Sequence, residues 1–309
     1  MTPVFSEVID CNSAADFLKE LTPWSSSRTL QGYIFRGHED DGFQLIPSAL
    51  RLEKKSELIR AAGLQPPDPN LFQHDFWQSL FERSALRRFF KYADRSGLYV
   101  PNERNIRENI NDWADIPYMA AMNEQTWISA EFLELAGLAQ HYGVPTRLLD
   151  WSYDPLVAAY FASLNGGSDG HISVWCLHMA VLLDDKHSVG GAPIEFVTPY
   201  YGGNPNLSAQ AGVFTHWRIK LPNVVNLLQG GQYVESRLHE RSLDDLLLET
   251  FSASGRQITH NIFIKFRLPK ARATEVRKLL RDAGYAESRL FPGYAGVAKE
   301  ILAPAFEQG

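Results

Sequence analysis

Gln140-His141-Tyr142-Gly143-Val144-Pro145-Thr146-Arg147-Leu148-Leu149-Asp150-Trp151-Ser152, continued by Tyr153-Asp154-Pro155-Leu156-Val157-Ala158-Ala159-Tyr160-Phe161, sets a helix exit, a Gly/Pro turn, a polar run and a proline-started apolar helix side by side. The helix before it is expected from a Ser129 cap through Phe132, Leu133, Leu135, Ala136 and Leu138 to Tyr142. Gly143 suits a left-handed stop and Pro145 prevents continuation, so Gln140 and His141 arrive at the helix end. Thr146 to Ser152 then reads as short and extended. Asp154-Pro155 reads as a cap and first-turn proline for a helix from Leu156 to Leu164, whose Ala158, Ala159 and Ala162 permit close packing on a sheet. His141, Thr146, Arg147 and Asp150 lie between apolar neighbours, where each needs a partner or a ligand.

Towards the N-terminus, residues 11–21 form an expected helix capped by Asn12 or Ser13, and Pro23 with Ser25-Ser26-Ser27 a loop. Tyr33-Ile34-Phe35-Arg36-Gly37-His38 reads as a strand whose glycine lets the backbone turn or lets something approach closely. Arg36 is either a structural partner of a carboxylate or a contact for a ligand anion. Ser48 is placed to cap the turn after it. Pro66-Pro67-Asp68-Pro69 breaks the chain, and Asn70 opens an expected helix to about Asp94 with Phe72, Phe76, Leu80, Leu86, Phe89 and Phe90 as its apolar stripe. Arg83, Arg87, Arg88, Lys91 and Arg95 near its C-terminal end suit the helix dipole and read as a solvated face before an RNA-binding surface. Residues 96–128 suggest helical pieces broken by Pro101 and Pro117.

Beyond the central stretch, strands are expected at 172–177, 194–198, 212–217 and 261–266, where β-branched and aromatic residues come in short runs. A helix is expected from Ala271 to Asp282, stopped by Gly284. The fold class is therefore α+β: one mixed domain over 1–309, with residues 52–128 a helical insertion or subdomain in its N-terminal part.

The 309 residues, 45% hydrophobic and 21% charged, provide for a sizeable core. A net charge of -6 argues against holding nucleic acid by bulk electrostatics and favours small-molecule or protein partners. Cys11 and Cys176 are too few for a disulfide framework or a zinc site. The opening Met1-Thr2-Pro3-Val4-Phe5 lacks a basic region with a following apolar run, and no stretch has the length to cross a bilayer, so a cytoplasmic protein without membrane association is expected. No metal is expected: the nine histidines contain no His-Glu-x-x-His run, and His171 and His178 fall at opposite ends of one strand. Phosphate-binding glycine loops and Gly-x-Ser-x-Gly elbows are absent as well.

Several of these pieces resemble the FRG-domain family. They are Phe35-Arg36-Gly37, Pro47-Ser48-Ala49-Leu50-Arg51, the stretch 140–152, Ser208-Ala209-Gln210-Ala211-Gly212-Val213-Phe214 and Leu290-Phe291-Pro292-Gly293-Tyr294-Ala295-Gly296, in the family's order. That family is common in bacterial and phage-related proteins, and its arrangement is similar to that of ADP-ribosyltransferases, which implies an ADP-ribosyltransferase-like β core. In those enzymes a residue of the first core strand grips NAD, a Ser/Thr strand and a following helix seat the nicotinamide, and a late strand brings a catalytic glutamate. By that resemblance Arg36 corresponds to the first position, Trp151-Ser152 with the helix through Tyr160-Phe161 to the second, and Gln210 falls near the third, where no glutamate stands.

NAD cleavage requires an anion clamp, a seat for nicotinamide and a group that stabilises the oxocarbenium-like ribose. The resulting candidates are Arg36, His141, Asp150 and Gln210 for chemistry, and Arg36, Tyr142, Thr146, Arg147, Ser152 and Tyr160 for holding NAD. The residues leave alternatives open. Asp150 is equally a salt-bridge partner of Arg147, with Glu195 and Glu240 as more distant carboxylates, and His141 reads first as a group that satisfies a helix terminus, ahead of a base or a ligand contact. Three functions are compatible with these residues, in this order: an NAD-using transferase serving as a toxin or effector in anti-phage defence, a non-catalytic sensor of a nucleotide or phage component using the same pocket, and last a nuclease using His141 and Asp150 with the 83–95 cations.

Overall fold

The structure is a computed structural model that describes residues 4–22, 28–65, 74–110, 126–185, 191–221, 235–236, 238–255 and 257–303. Its strands are β1 (Ser6–Asp10), β2 (Tyr33–His38), β3 (Thr126–Trp127), β4 (Leu149–Ser152), β5 (His171–His178), β6 (Ile194–Val197), β7 (Gly212–Trp217), β8 (Ile219–Lys220) and β9 (Phe263–Pro269). Seven of them form one sheet in the order β1-β9-β5-β2-β4-β7-β6. The β1–β9 pair is parallel and every other neighbouring pair antiparallel, while β3 and β8 make a separate two-stranded ladder. Twelve α-helices accompany them among the described residues: α1 (Ala14–Leu21), α2 (Lys55–Ala62), α3 (Asp75–Arg95), α4 (Glu103–Ile110), α5 (Ala130–His141), α6 (Pro155–Ala162), α7 (Met179–Asp185), α8 (Pro205–Ala209), α9 (Leu243–Ser254), α10 (Ala273–Asp282), α11 (Glu287–Leu290) and α12 (Tyr294–Leu302). The fold is thus mixed α and β around a mixed sheet. No helix among the described residues is long and apolar enough to cross a membrane.

Alternation along the strands divides the core. Tyr33, Phe35, Val174, Cys176 and Phe266 pack with Phe17 of α1, Ala158 and Ala162 of α6, and Val276 of α10. Ile34, Trp151, Trp175, Leu177 and Val213 pack with Leu243, Leu247 and Phe251 of α9. Because both faces are covered, β5 is buried at every position after His171. A third cluster joins Leu80, Leu86 and Phe90 of α3 to Phe132 and Leu135 of α5, and to Leu148 and Phe214. The described residues of the 52–128 region are accordingly helical over most of their length and share their core with α5 and β7.

Gly37 fixes how α6 meets the sheet. A Cβ at this position would lie 2.0 Å from the Ala158 carbonyl oxygen and 2.6 Å from the Ala162 nitrogen. Of the two purposes expected for this glycine, close approach is the one the structure uses, since the residue continues a regular strand opposite Val174. The Asp154 carboxylate accepts from the Leu156 amide and caps α6, with Pro155 in its first turn.

Local expectations are corrected at several places. Ser48 caps nothing: its hydroxyl donates to the Thr146 carbonyl and accepts from the Thr146 amide, tying residue 48 to the 140–152 stretch. Ser129 precedes α5 without a side-chain capping bond. The α3 cations are not uniformly a solvated face. Arg83 is buried, and Arg88 donates to the Arg60 and Ala61 carbonyls. Asn70, Phe72, the proline cluster before them, Pro117, Pro23 and the Ser25–Ser27 run lie outside the described residues.

Arg147 forms no pair with Asp150. Its guanidinium reaches back to α3, where Nε donates to Glu82 Oε2 at 2.6 Å and Nη2 to Glu82 Oε1 at 3.0 Å, with side chains 2% and 3% exposed. Glu82 also accepts from the Trp127 indole and from Gln78 Nε2. Four donors thereby hold one buried carboxylate, the condition under which a buried pair is tolerated. Two outcomes are expected in urea unfolding. Gly37→Ala costs about 3 kcal/mol or more, because backbone rather than a movable side chain blocks the new methyl. Arg147→Met alone costs about 3–5 kcal/mol, and the double change with Glu82→Leu recovers much of that loss by leaving no unpaired charge behind. A Gly37→Ala protein of unchanged stability contradicts the first expectation, and a double variant weaker than Arg147→Met contradicts the second.

Candidate ligand-binding cleft

The site forms where two central strands part. β2 and β4 share a single bridge, Phe35 opposite Ser152, whereas β4 and β7 pair from Leu149–Thr215 to Ser152–Gly212. Beyond the bridge Arg36 spans the opening. Its Nη1 donates to the Asp150 carbonyl at 2.7 Å and pairs with Asp150 Oδ1 at 2.8 Å, so a side chain supplies the partner that the strand ladder does not. Arg36 Nε donates to His38 Nε2 at 3.0 Å. Gln140, delivered by the end of α5, donates from Nε2 to Asp150 Oδ1 at 3.1 Å and accepts from the Thr146 hydroxyl. Gly143, with φ +86°, turns the chain so that residue 140 and residue 150 meet.

A cavity of about 300 Å³ opens over this group. Arg36, Gln140, His141, Asp150, Ser152 and Gln210 supply its polar lining, and Phe161, Phe214 and Phe291 stand among its aromatic residues. Ser152 Oγ donates to the Gln210 carbonyl at 2.7 Å and accepts from the Asp154 amide, which joins β4, the start of α6 and the entry to β7. Gln210 Nε2 donates to the Leu290 carbonyl at 3.0 Å. His141 Nε2 lies 2.6 Å from Asn206 Nδ2.

The electrostatics arise from these contacts. Burial, reinforced by the Arg36 charge, lowers the His38 pKa to about 3, so the ring stays neutral and accepts the Arg36 proton. The protein packed around Asp150 raises its pKa, but the Arg36 charge and hydrogen bond outweigh that effect and hold the carboxyl below the usual range. Burial lowers the pKa of His141. At neutral pH the cavity therefore holds a paired guanidinium and carboxylate with the neutral His141 in the same lining, while the neutral His38 accepts from Arg36 outside it.

Of the residues singled out in the sequence, Arg36, His141, Asp150, Ser152 and Gln210 line this cavity. Tyr142 is 68% exposed, with its ring edge-on to His141, and is not among the lining residues. Thr146 is buried behind the wall, where its hydroxyl orients Gln140, and Arg147 is consumed by Glu82. Tyr160 is buried among Phe161 and Phe291, and burial with the Glu287 charge pushes its pKa up to about 12. Glu195 pairs with His216 and Arg218 on the β6–β7 side, and Glu240 donates its amide to the Leu50 carbonyl. Sequence reasoning did not single out His38, the Gln140 amide, Phe214 or Phe291 as members of the site, and it reached Phe161 only with the helix through Tyr160-Phe161. The spacing of His38 two residues after Arg36 on one strand is the available signal, since such residues share a face.

Compared with known families, residues 31–169 match the FRG domain. The chain carries an FRG domain. No curated protein and no solved structure matches it. The FRG match spans Arg36, the 140–152 stretch and α6, and ends before β7 and residues 290–296, which close the other side of the cavity. Within the FRG domain, Gly37 admits α6 and Thr146 sets Gln140, so its polar residues divide between building the cleft and facing it.

The neutral His38 has a measurable consequence. In the unfolded chain its ring protonates near pH 6.5, but in the folded protein only near pH 3. Between those values the unfolded state binds one more proton, so stability falls as pH falls, by about 1.4 kcal/mol per pH unit from this group. His38→Gln keeps an acceptor for Arg36 and is expected to remove that one-proton share of the slope between pH 6 and 4. Urea unfolding across the range checks it, and an unchanged slope contradicts it.

Proposed function

We propose that the cleft binds NAD or a closely related nucleotide and that the protein is an ADP-ribosyltransferase-like enzyme. The observation that carries this reading is the meeting of Arg36, His141, Asp150, Ser152 and Gln210 with Phe161, Phe214 and Phe291 around one cavity, at the adjacent strands β2, β4 and β7. These are the strands that carry the Phe-Arg-Gly motif, the Trp-Ser motif and the late Gln-Ala-Gly motif. In this arrangement Arg36 receives the diphosphate, the phenylalanines flank an aromatic ring, and the Gln140 and Gln210 amides direct polar groups. The glycosidic bond of NAD breaks with its electron pair leaving on nicotinamide. The ADP-ribosyl cation then passes to a nucleophile of the acceptor or to water, and Asp150 is the lining carboxylate that faces the developing charge. The FRG resemblance extends this reading to a toxin or effector in bacterial anti-phage defence.

One observation favours a second reading, a nucleotide sensor without turnover. Among the described residues lining the cavity Asp150 is the sole carboxylate, and Arg36 already holds it. Gln210 stands at the entry of the late strand, where a transferase carries glutamate.

Incubation with labelled NAD and bacterial lysate, alongside calorimetric titration of NAD, separates these cases. Binding is expected, weakened about tenfold to a hundredfold by Arg36→Ala, the span of a charge-assisted hydrogen bond. An enzyme also releases nicotinamide, and Asp150→Asn abolishes that release while retaining binding. Binding without release leaves the sensor, and the absence of both defeats the two readings together.

A further inference from the structure

A second cavity, of about 260 Å³, lies against the first and shares Arg36, Gln140 and Asp150 with it. Among the described residues its remaining charged walls are Arg51, Lys54 and Glu57. Lys54 Nζ pairs with Glu57 Oε1 at 2.8 Å, and Arg36 pairs with Asp150. Arg51 is different. Its Nε donates to the Ile46 carbonyl at 2.7 Å, which fixes the guanidinium plane, and among the described residues no carboxylate lies within ion-pair distance of it. Burial lowers its pKa and the neighbouring Arg36 charge lowers it further, with Glu53 and Asp150 acting in the opposite direction.

A half-buried cation beside a second cation is unfavourable unless an anion stands with them. The fork of a guanidinium matches two oxygens of a phosphate, and a backbone bond that sets its plane removes part of the entropy of binding. We propose that this second cavity is a phosphate-binding site, with Arg51 as its principal contact and Arg36 and Lys54 at its margins. The occupant is a phosphate monoester or diphosphate, free or as part of a larger ligand that extends from the first cavity past the Arg36–Asp150 pair. The assignment does not depend on NAD occupying the first cavity.

Calorimetric titration with pyrophosphate at low ionic strength tests it, with ADP-ribose and NAD as separate arms. One pyrophosphate is expected per chain. R51Q weakens it at least tenfold, R51K, which keeps the charge without the fork, weakens it about threefold, and R104Q at a side chain 90% exposed leaves it unchanged. Because R51Q also removes the bond to Ile46, R51K serves wherever R51Q does not fold. Absence of pyrophosphate binding overturns the proposal, as does wild-type affinity in whichever Arg51 variant folds. Pyrophosphate binding that depends on Arg51 in a protein that ignores NAD upholds this site and removes the NAD reading alone. Tighter binding of ADP-ribose than of pyrophosphate, lost on R51Q, identifies one ligand spanning both cavities.

Discussion

The Glu82 carboxylate, buried between Arg147, Trp127 and Gln78, is the contact on which the rest of the molecule depends. It joins α3, the end of β3 and the run into β4, three segments that are distant in sequence. An ion pair 2% and 3% exposed gains little net stability over an apolar replacement, but breaking it leaves a charge with no water to receive it. What the pair contributes is position. Arg147 directs its side chain to α3, and three residues later Asp150 faces Arg36 and Gln140 at the cleft. Ser48 fastens the same run from another side through both backbone groups of Thr146.

A wall held this firmly allows its outer residues to remain polar and partly open. Asp150 keeps a side chain 62% exposed while Arg36 is 14% exposed, so solvent reaches the carboxylate side of the pair more readily than the guanidinium side. Exposure of that kind reduces the strength of the pair relative to a buried one. The two arginines show how one residue type performs opposite tasks on either side of the same wall: one is closed within a buried network, the other bridges an opening between strands.

Much of this is legible in the sequence because it is local. Gly143 and Pro145 mark the end of α5, Asp154-Pro155 marks the start of α6, and apolar runs mark β2, β5, β6, β7 and β9, all within a few residues of where they lie. The helix α9 carries equally local marks, Ser242 accepting from the Asp245 amide and Gly255 at φ +63°, and the sequence reading passed over it. The strand β1 has a weaker signal, since its edge position leaves Ser6, Val8 and Asp10 on the outside and only the β9 side paired. Partner choice is not legible. Nothing near Arg147 indicates Glu82, 65 positions earlier, and Asp150 is the nearer carboxylate by a wide margin. Proximity in sequence misleads here because the run into β4 is extended, which sends residues 147 and 150 to opposite faces of the strand line.

The same alternation explains why the cleft residues come from so many places. A strand offers only every second side chain to a given face, so one strand cannot assemble a site of cation, carboxylate, amide and aromatic groups. Arg36, Ser152 and Phe214 come from three adjacent strands, and helix ends complete the set with Gln140, His141, Phe161 and Gln210. Helix ends are suited to this because their terminal groups are already turned out of the helical ladder and bond to whatever lies beside them. Gly37 makes the assembly compact: with no Cβ beneath the Ala158 carbonyl, α6 lies directly on β2, and Phe161 reaches the cavity that Arg36 borders. The Phe-Arg-Gly tripeptide thus joins two functions in consecutive residues, a guanidinium for the cleft and a space for the helix that closes it.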